Sequence, residues 1–189
     1  MTVPLLEHIA RYVALSQDDE AALTAALRTA ALDKRAPLFS QDEDARVLVY
    51  VESGLLRLYS VDEALKERTL QFALEGWWIA DWDAFERGSP SRLSLQAVEA
   101  SHVRILDYGR YEPLLETVPA LERYFRRVYQ RAFAAAQRRH HLTETSSGEI
   151  MYREFLKRYP DFVQRVPQYM LASFLGFTPE FLSKIRARS

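Results

Sequence analysis

A change of hydrophobic period near residue 110 constrains this chain more than any single motif. Residues 36–108 carry short apolar runs or alternation, whereas from Tyr111 onward apolar residues recur every three or four positions. Residues 47–51, VLVYV, form a continuous, largely β-branched run, as in a strand covered on both faces. Glu52, Ser53 and Gly54 interrupt it, residues 55–61 give a second strand, and residues 62–65 read as a turn. Arg68, Leu70, Phe72 and Leu74 then alternate with Glu67, Thr69, Gln71 and Ala73, which predicts a half-buried strand with the first set inward. Two more short strands are expected over 93–98 and 102–106. Short strands in regular succession make a sandwich or a barrel. Upstream, Ser16 and Asp19 stand where a helix would be capped, and Leu23, Leu27, Ala22, Ala26 and Ala30 share one helical face.

The second half reads as helix. Leu121, Phe125, Val128, Ala132, Ala135, Arg139 and Leu142 are spaced 4, 3, 4, 3, 4 and 3 apart. That is the seam of a coiled coil, and its small central residues Ala132 and Ala135 would let two helices approach closely. One long helix over 111–145 is expected, paired with its twin in a second copy rather than packed as an ordinary core helix. Ser146 and Glu149 form a capping box that starts a new helix, with Met151, Phe155 and Leu156 as its apolar face. Residues 159–161 end it, so 143–148 is the expected hinge.

Residues 166–186 carry the most specific pattern. Pro167 suits a first helical turn, Leu171 and Leu175 form an inner stripe, and small Ala172 lies where two helices would cross. Gly176 closes the first helix, Thr178 caps the second, and Pro179 takes its first turn. Phe181, Leu182 and Ile185 are expected to face the core, leaving Glu180, Ser183, Lys184 and Arg186 outward. A second helix of this kind enters the DNA major groove. There Lys184 and Arg186 suit phosphates or guanine edges, and Glu180 suits cytosine. Thr178 and Arg188 are candidate phosphate contacts.

Charge agrees with that placement. Net charge is −1 overall, but residues 150–189 hold seven basic and three acidic side chains, leaving −5 on residues 1–149. A basic end on an acidic body suits an anionic partner. There is no cysteine, which removes disulfides, thiolate metal sites and iron–sulfur clusters. No signal-peptide pattern and no apolar run near the ~20 residues of a membrane span are present, so a cytoplasmic protein is expected.

The order of β-domain, long helix, hinge and helix-turn-helix resembles the Crp/Fnr family of bacterial regulators, built on a cyclic-nucleotide-binding-type fold. The matching stretches are VYVESGLLRLY (49–59), KERTLQFALEG (66–76), WIADWDAFERGSPSRLSLQAVE (78–99) and QYMLASFLGFTPEFLSKIR (168–186). The resemblance implies an α+β chain. A β-roll or jelly-roll sensor would span 1–110, a dimerisation helix 111–145, and a helix-turn-helix DNA-binding domain 146–189. It implies a homodimer on double-stranded DNA, with RNA polymerase as a further candidate partner. It also implies allosteric control, in which a shift of the seam moves the hinge and resets two recognition helices about 34 Å apart. Family members continue past the recognition helix into a wing; this sequence stops at Ser189, so a short form with fewer phosphate contacts is expected.

In the family's nucleotide binders a Gly-Glu pair and an Arg-Ser pair hold the ribose and the cyclic phosphate. Here the first pair reads Ala80-Asp81, and the second falls on Ser91-Arg92, transposed by one place. The resemblance makes Asp81, Trp82, Ser91 and Arg92 the candidate effector residues, with Gln137 near the place of a base. Alternating strand side chains would turn the Arg92 guanidinium away from such a pocket, and Trp77, Trp78 and Trp82 crowd it. The expected effector is therefore an unidentified small molecule rather than cyclic AMP, with a constitutive binder as the other possibility.

Other chemistry is not indicated. His140 and His141 are adjacent on a helix, about 100° apart, and suit a surface better than a metal; His102 has nothing to pair with. Asp81, Asp83 and Glu86 read as surface charge. No nucleophilic triad, phosphate-binding glycine loop or zinc motif appears, so no enzyme, metal or cofactor is expected. The rival reading is a ligand-sensing dimer that docks a protein partner through its C-terminal helices, without DNA.

Overall fold

The computed structural model describes residues 2–187. Helices α1 (Leu5–Ala10) and α2 (Gln17–Ala26) lead in. The start of α2 is as expected: the Ser16 hydroxyl accepts from the Asp19 amide (3.2 Å), and the Asp19 carboxylate accepts from the Ser16 amide (2.9 Å). The helix stops sooner than its apolar stripe suggests. Leu27 is already extended, and β1 (Leu27–Leu32) pairs with a later strand from Leu27↔Leu106 to Leu32↔Ser101. That ladder outweighs the weak pull of an alanine stripe.

The strands β2 (Pro37–Phe39), β3 (Val47–Ser53), β4 (Leu56–Val61), β5 (Glu67–Ala73) and β6 (Trp78–Ile79) follow, then α3 (Trp82–Arg87), β7 (Ser94–Ala97) and β8 (Ser101–Asp107). They form two four-stranded antiparallel sheets, ordered β1-β8-β3-β6 and β2-β7-β4-β5. Apart from the β4-β5 hairpin, neighbours in space are distant in sequence, the jelly-roll arrangement. Val49, Val51, Leu56, Leu58, Leu95 and Ile105 fill the space between the sheets.

β5 departs from simple alternation. A bulge opposite Leu58 and Tyr59 skips Leu70, which is 37% exposed, while Thr69 is buried in its place. Both faces of the strand's end are then covered. Ala73 enters the sandwich, and Phe72 lies in a second core beneath the C-terminal helices.

The stretch expected as one helix is two: α4 (Tyr108–Thr117) and α5 (Ala120–Thr145). Pro119 disfavours helix at Val118, which makes the break. The first turns of α5 bury Leu121, Tyr124 and Phe125 against α1, α2 and the β1-β8-β3-β6 sheet. A polar chain crosses this core: the Trp78 indole donates to the Tyr124 hydroxyl (2.8 Å), which shares a further hydrogen bond with His8 Nδ1 (2.8 Å). Burial, then the charges of Arg11 and Arg131, hold the His8 pKa down to about 4, so the ring is neutral near pH 7.

Between its unfolded and folded pKa values, His8 binds a proton only when the chain unfolds. Stability is therefore expected to fall by about 3 kcal/mol as pH drops from about 6.5 to 4. The difference between the parent and His8→Asn urea midpoints across that window measures it, and parallel curves would refute it.

Helices α6 (Gly148–Arg158), α7 (Pro160–Arg165), α8 (Gln168–Leu175) and α9 (Pro179–Arg186) complete the chain. The cap of α6 is Ser147, not Ser146: Ser147 accepts from the Ile150 amide, while Ser146 closes α5. Met151, Phe162, Leu171, Ala172, Leu182 and Ile185 make the C-terminal core, which Leu55, Phe72 and Val98 of the sandwich join.

Candidate DNA-reading surface and effector region

The helix-turn-helix forms as its residues dictate. Gly176 adopts φ +74°, the left-handed turn that a Cβ would strain. The Thr178 hydroxyl accepts from the Phe181 amide (3.2 Å), and Pro179 sits at the first position of α9. Leu182 and Ile185 are buried; Glu180, Ser183, Lys184 and Arg186 are exposed. The Glu180 carboxyl lies below its usual pKa, through its own backbone amide first and then Thr178, and stays ionised. One residue differs from expectation. Phe181 is 42% exposed and packs on Phe177 (5.2 Å) instead of entering the core, because Leu182 and Ile185 already fill it. Gln168 and Tyr169 of α8 share an open concave surface with Glu180, Ser183 and Lys184, which sequence spacing did not bring out. Arg188 lies outside the described residues.

The effector candidates do not form one pocket. Asp81 caps α3, accepting from the amides of Asp83 (3.1 Å) and Ala84 (3.3 Å). Its other oxygen accepts from the Ser91 hydroxyl (2.6 Å). Both side chains are buried and mutually satisfied, so this carboxylate is part of the loop's structure. Arg92 points to solvent, as the transposed pair suggested. Trp82, 39% exposed, packs edge-on against Tyr129 of α5 with ring centres 4.7 Å apart. Gln137 lies about two turns beyond Tyr129 on α5 and is exposed.

The expected helix seam also divides. Leu121 and Phe125 are 0% and 2% exposed within the chain's own core, so neither has surface left for a twin. Val128 packs against the same core and Leu142 against the C-terminal one. The Arg139 guanidinium donates to the Leu70 carbonyl (2.6 Å) and lies over the Phe174 ring (4.7 Å). Ala135 is half-buried and Ala132 exposed. The heptad thus faces inward at both ends. A period identifies an apolar face but not what covers it. The side of α5 turned to solvent carries Arg126, Phe133, Gln137 and His140, with Phe133 66% exposed.

The C-terminal helices are fastened to the sandwich by groups the sequence did not single out. Arg165 forks onto both Glu75 oxygens (3.0 and 2.8 Å), pairs with Glu99, and donates to the Gly54 carbonyl (3.0 Å). Gly54 has φ +99°, and a Cβ there would strike the Ser101 hydroxyl, so the turn that offers this carbonyl needs glycine. Ser173 of α8 accepts from the Thr69 amide (3.0 Å) and donates to the Glu67 carbonyl (3.0 Å). Only a sequence separation of 66 to 111 residues joins the Arg165 set, which no local pattern can show.

Comparisons with known proteins agree with this architecture. Residues 30–118 match the cyclic nucleotide-binding domain model. No curated protein matches the chain by sequence. Among solved structures, FixK2 from Bradyrhizobium japonicum is 17% identical, with TM-score 0.73 over 86% of this chain and 83% of that one. A CooA variant from Carboxydothermus hydrogenoformans is also 17% identical, with TM-score 0.73 over 99% and 84%. A regulator described as of the Crp/Fnr family, from Eubacterium rectale, is 14% identical, with TM-score 0.68 over 92% and 83%. Residues 30–118 therefore match the cyclic nucleotide-binding domain family, and the chain has the fold seen in the Crp/Fnr regulators.

Proposed function

We propose that this protein is a sequence-specific DNA-binding regulator that works as a homodimer. The observation that carries the reading is α9, whose buried Leu182 and Ile185 hold it against α8 while Glu180, Ser183, Lys184 and Arg186 stand free. Such a helix offers a carboxylate, a hydroxyl and two cations to the major groove, with the Thr178 end toward the phosphates. The Phe133 side of α5 is the surface for the second copy, since the inward side is already occupied by the chain's own cores.

A small effector, if one acts, binds elsewhere than at a phosphate-holding arginine in the β-roll. Ser91 occupies the inner position and closes on Asp81, while Arg92 faces out. This arrangement disfavours cyclic AMP.

A selection from random duplexes at two salt concentrations tests the reading, with an enriched palindrome as the expected product. Lys184→Ala/Arg186→Ala is expected to weaken binding to that palindrome roughly 100-fold or more, at about 1–3 kcal/mol for each base-reading side chain. The dimer should persist. Unchanged affinity in the double variant would point instead to a sensor that docks a protein partner.

A further inference from the structure

The most basic segment of the chain is not its C-terminal end. Residues 123–141 hold Arg123, Arg126, Arg127, Arg131, Arg138 and Arg139 with no acidic residue between them. Arg127, Arg131 and Arg138 lie on one flank of α5, spaced four and seven apart, turned away from the Phe133 side. They line a cleft of about 460 Å³ with Tyr12, which follows α1, with Gln130, and with Arg158 at the end of α6. A volume of that order suits a small ligand.

We propose that this cleft is a binding site for a small anion carrying two or more phosphoryl groups. Four guanidinium groups, always charged, converge on one concavity whose lining contains no carboxylate. None of the four makes an ion pair among the described residues. Such a cluster repels itself and is relieved by an anion that brings several charges at once. Planar guanidinium forks match phosphate oxygens in pairs, which one carboxylate or chloride would not saturate.

Two of the arginines are already positioned. Arg131 donates to the Tyr12 hydroxyl, and Arg158 to the Tyr159 hydroxyl (3.2 Å). The positive charge is felt inside the protein too, since Arg131 adds to the burial that keeps His8 neutral. Concavity favours a compact ligand over duplex DNA, whose phosphates lie on a convex ridge. The occupant would bridge α1, α5 and α6, and so join the sensor half to the C-terminal helices. The proposal does not depend on α9 reading DNA.

Titration calorimetry of the full chain with tripolyphosphate, at about 50 and 200 mM salt, tests it. Binding of one anion per chain is expected, with Kd on the order of 10 µM at the lower salt. Arg127→Gln/Arg138→Gln should weaken it roughly tenfold or more. Arg87→Gln/Arg153→Gln, which removes the same charge from exposed sites elsewhere, should leave it unchanged. Absence of binding at the lower salt, or equal losses in the two double variants, would overturn the proposal. So would a duplex of random sequence that loses affinity in Arg127→Gln/Arg138→Gln while tripolyphosphate does not bind. Circular dichroism of both double variants checks that each is folded, and if the first is not, single Arg138→Gln carries the comparison.

Discussion

Replacing Arg165 by methionine should lower the free energy of unfolding by about 3 kcal/mol, the low end for breaking a buried ion pair. The low end applies because the guanidinium is 28% exposed, whereas the Glu75 side chain beneath it is only 7% exposed. Methionine replaces the stem but takes the guanidinium fork from the buried Glu75 carboxylate, which keeps the bond from the Gly54 amide (3.2 Å). Burial pushes the Glu75 carboxyl up, but the Arg165 hydrogen bonds outweigh it and hold the pKa below the usual value. The clamp is therefore present above the ordinary glutamate pKa and is lost as pH falls through the lower folded value. Urea denaturation of Arg165→Met at neutral pH reads the loss directly. Arg165→Met/Glu75→Gln should recover part of it, because the buried negative charge that lost its guanidinium is then gone. Equal stability of parent and single variant would show that solvent already screens the triad.

On the homodimer proposed above, Phe133→Glu should give a monomer. Phe133 stands at the middle of α5, 66% exposed, on the side that neither core of the chain covers. Two such helices facing each other would stack a phenyl ring on each side of the axis, and a pair of carboxylates there would repel. Monomers read a palindrome one half-site at a time and lose the effective-concentration advantage, roughly 10²–10⁴ in affinity. Sedimentation equilibrium and duplex binding on the same preparation should move together. A dimer that survives Phe133→Glu would place the twofold contact on another face.

Several elements were legible because their signals are local. The strands over 47–61, the Gly176 turn, the Thr178 cap and the Pro160 break each depend on residues within a few positions of one another. Errors arose where distant partners decide. Leu27 fits a helical face, yet β8 draws it into a strand. Leu70 keeps the alternation in sequence, yet a bulge against β4 turns it outward. Leu121 and Phe125 keep a coiled-coil period, yet the β-roll covers them first. The site divides the same way. The outward residues of α9 followed from spacing and caps, while the closure of Asp81 by Ser91 depends on a loop ten residues away. The arginine flank of α5 was not singled out in the sequence, where the charge balance pointed to residues 150–189, and its convergence with Tyr12 and Arg158 required the fold.

β5 has a consequence for how the chain comes apart. It is a wall shared by two rooms: Ala73 on one side completes the sandwich, and Phe72 on the other completes the C-terminal core. Removing the C-terminal helices would uncover Leu55, Phe72, Leu74 and Val98 together, an apolar patch at one end of the β2-β7-β4-β5 sheet. The β-domain is therefore poorly suited to life as a separate fragment. The two halves should melt as one cooperative unit, with the amides of β5 opening only when the whole molecule does.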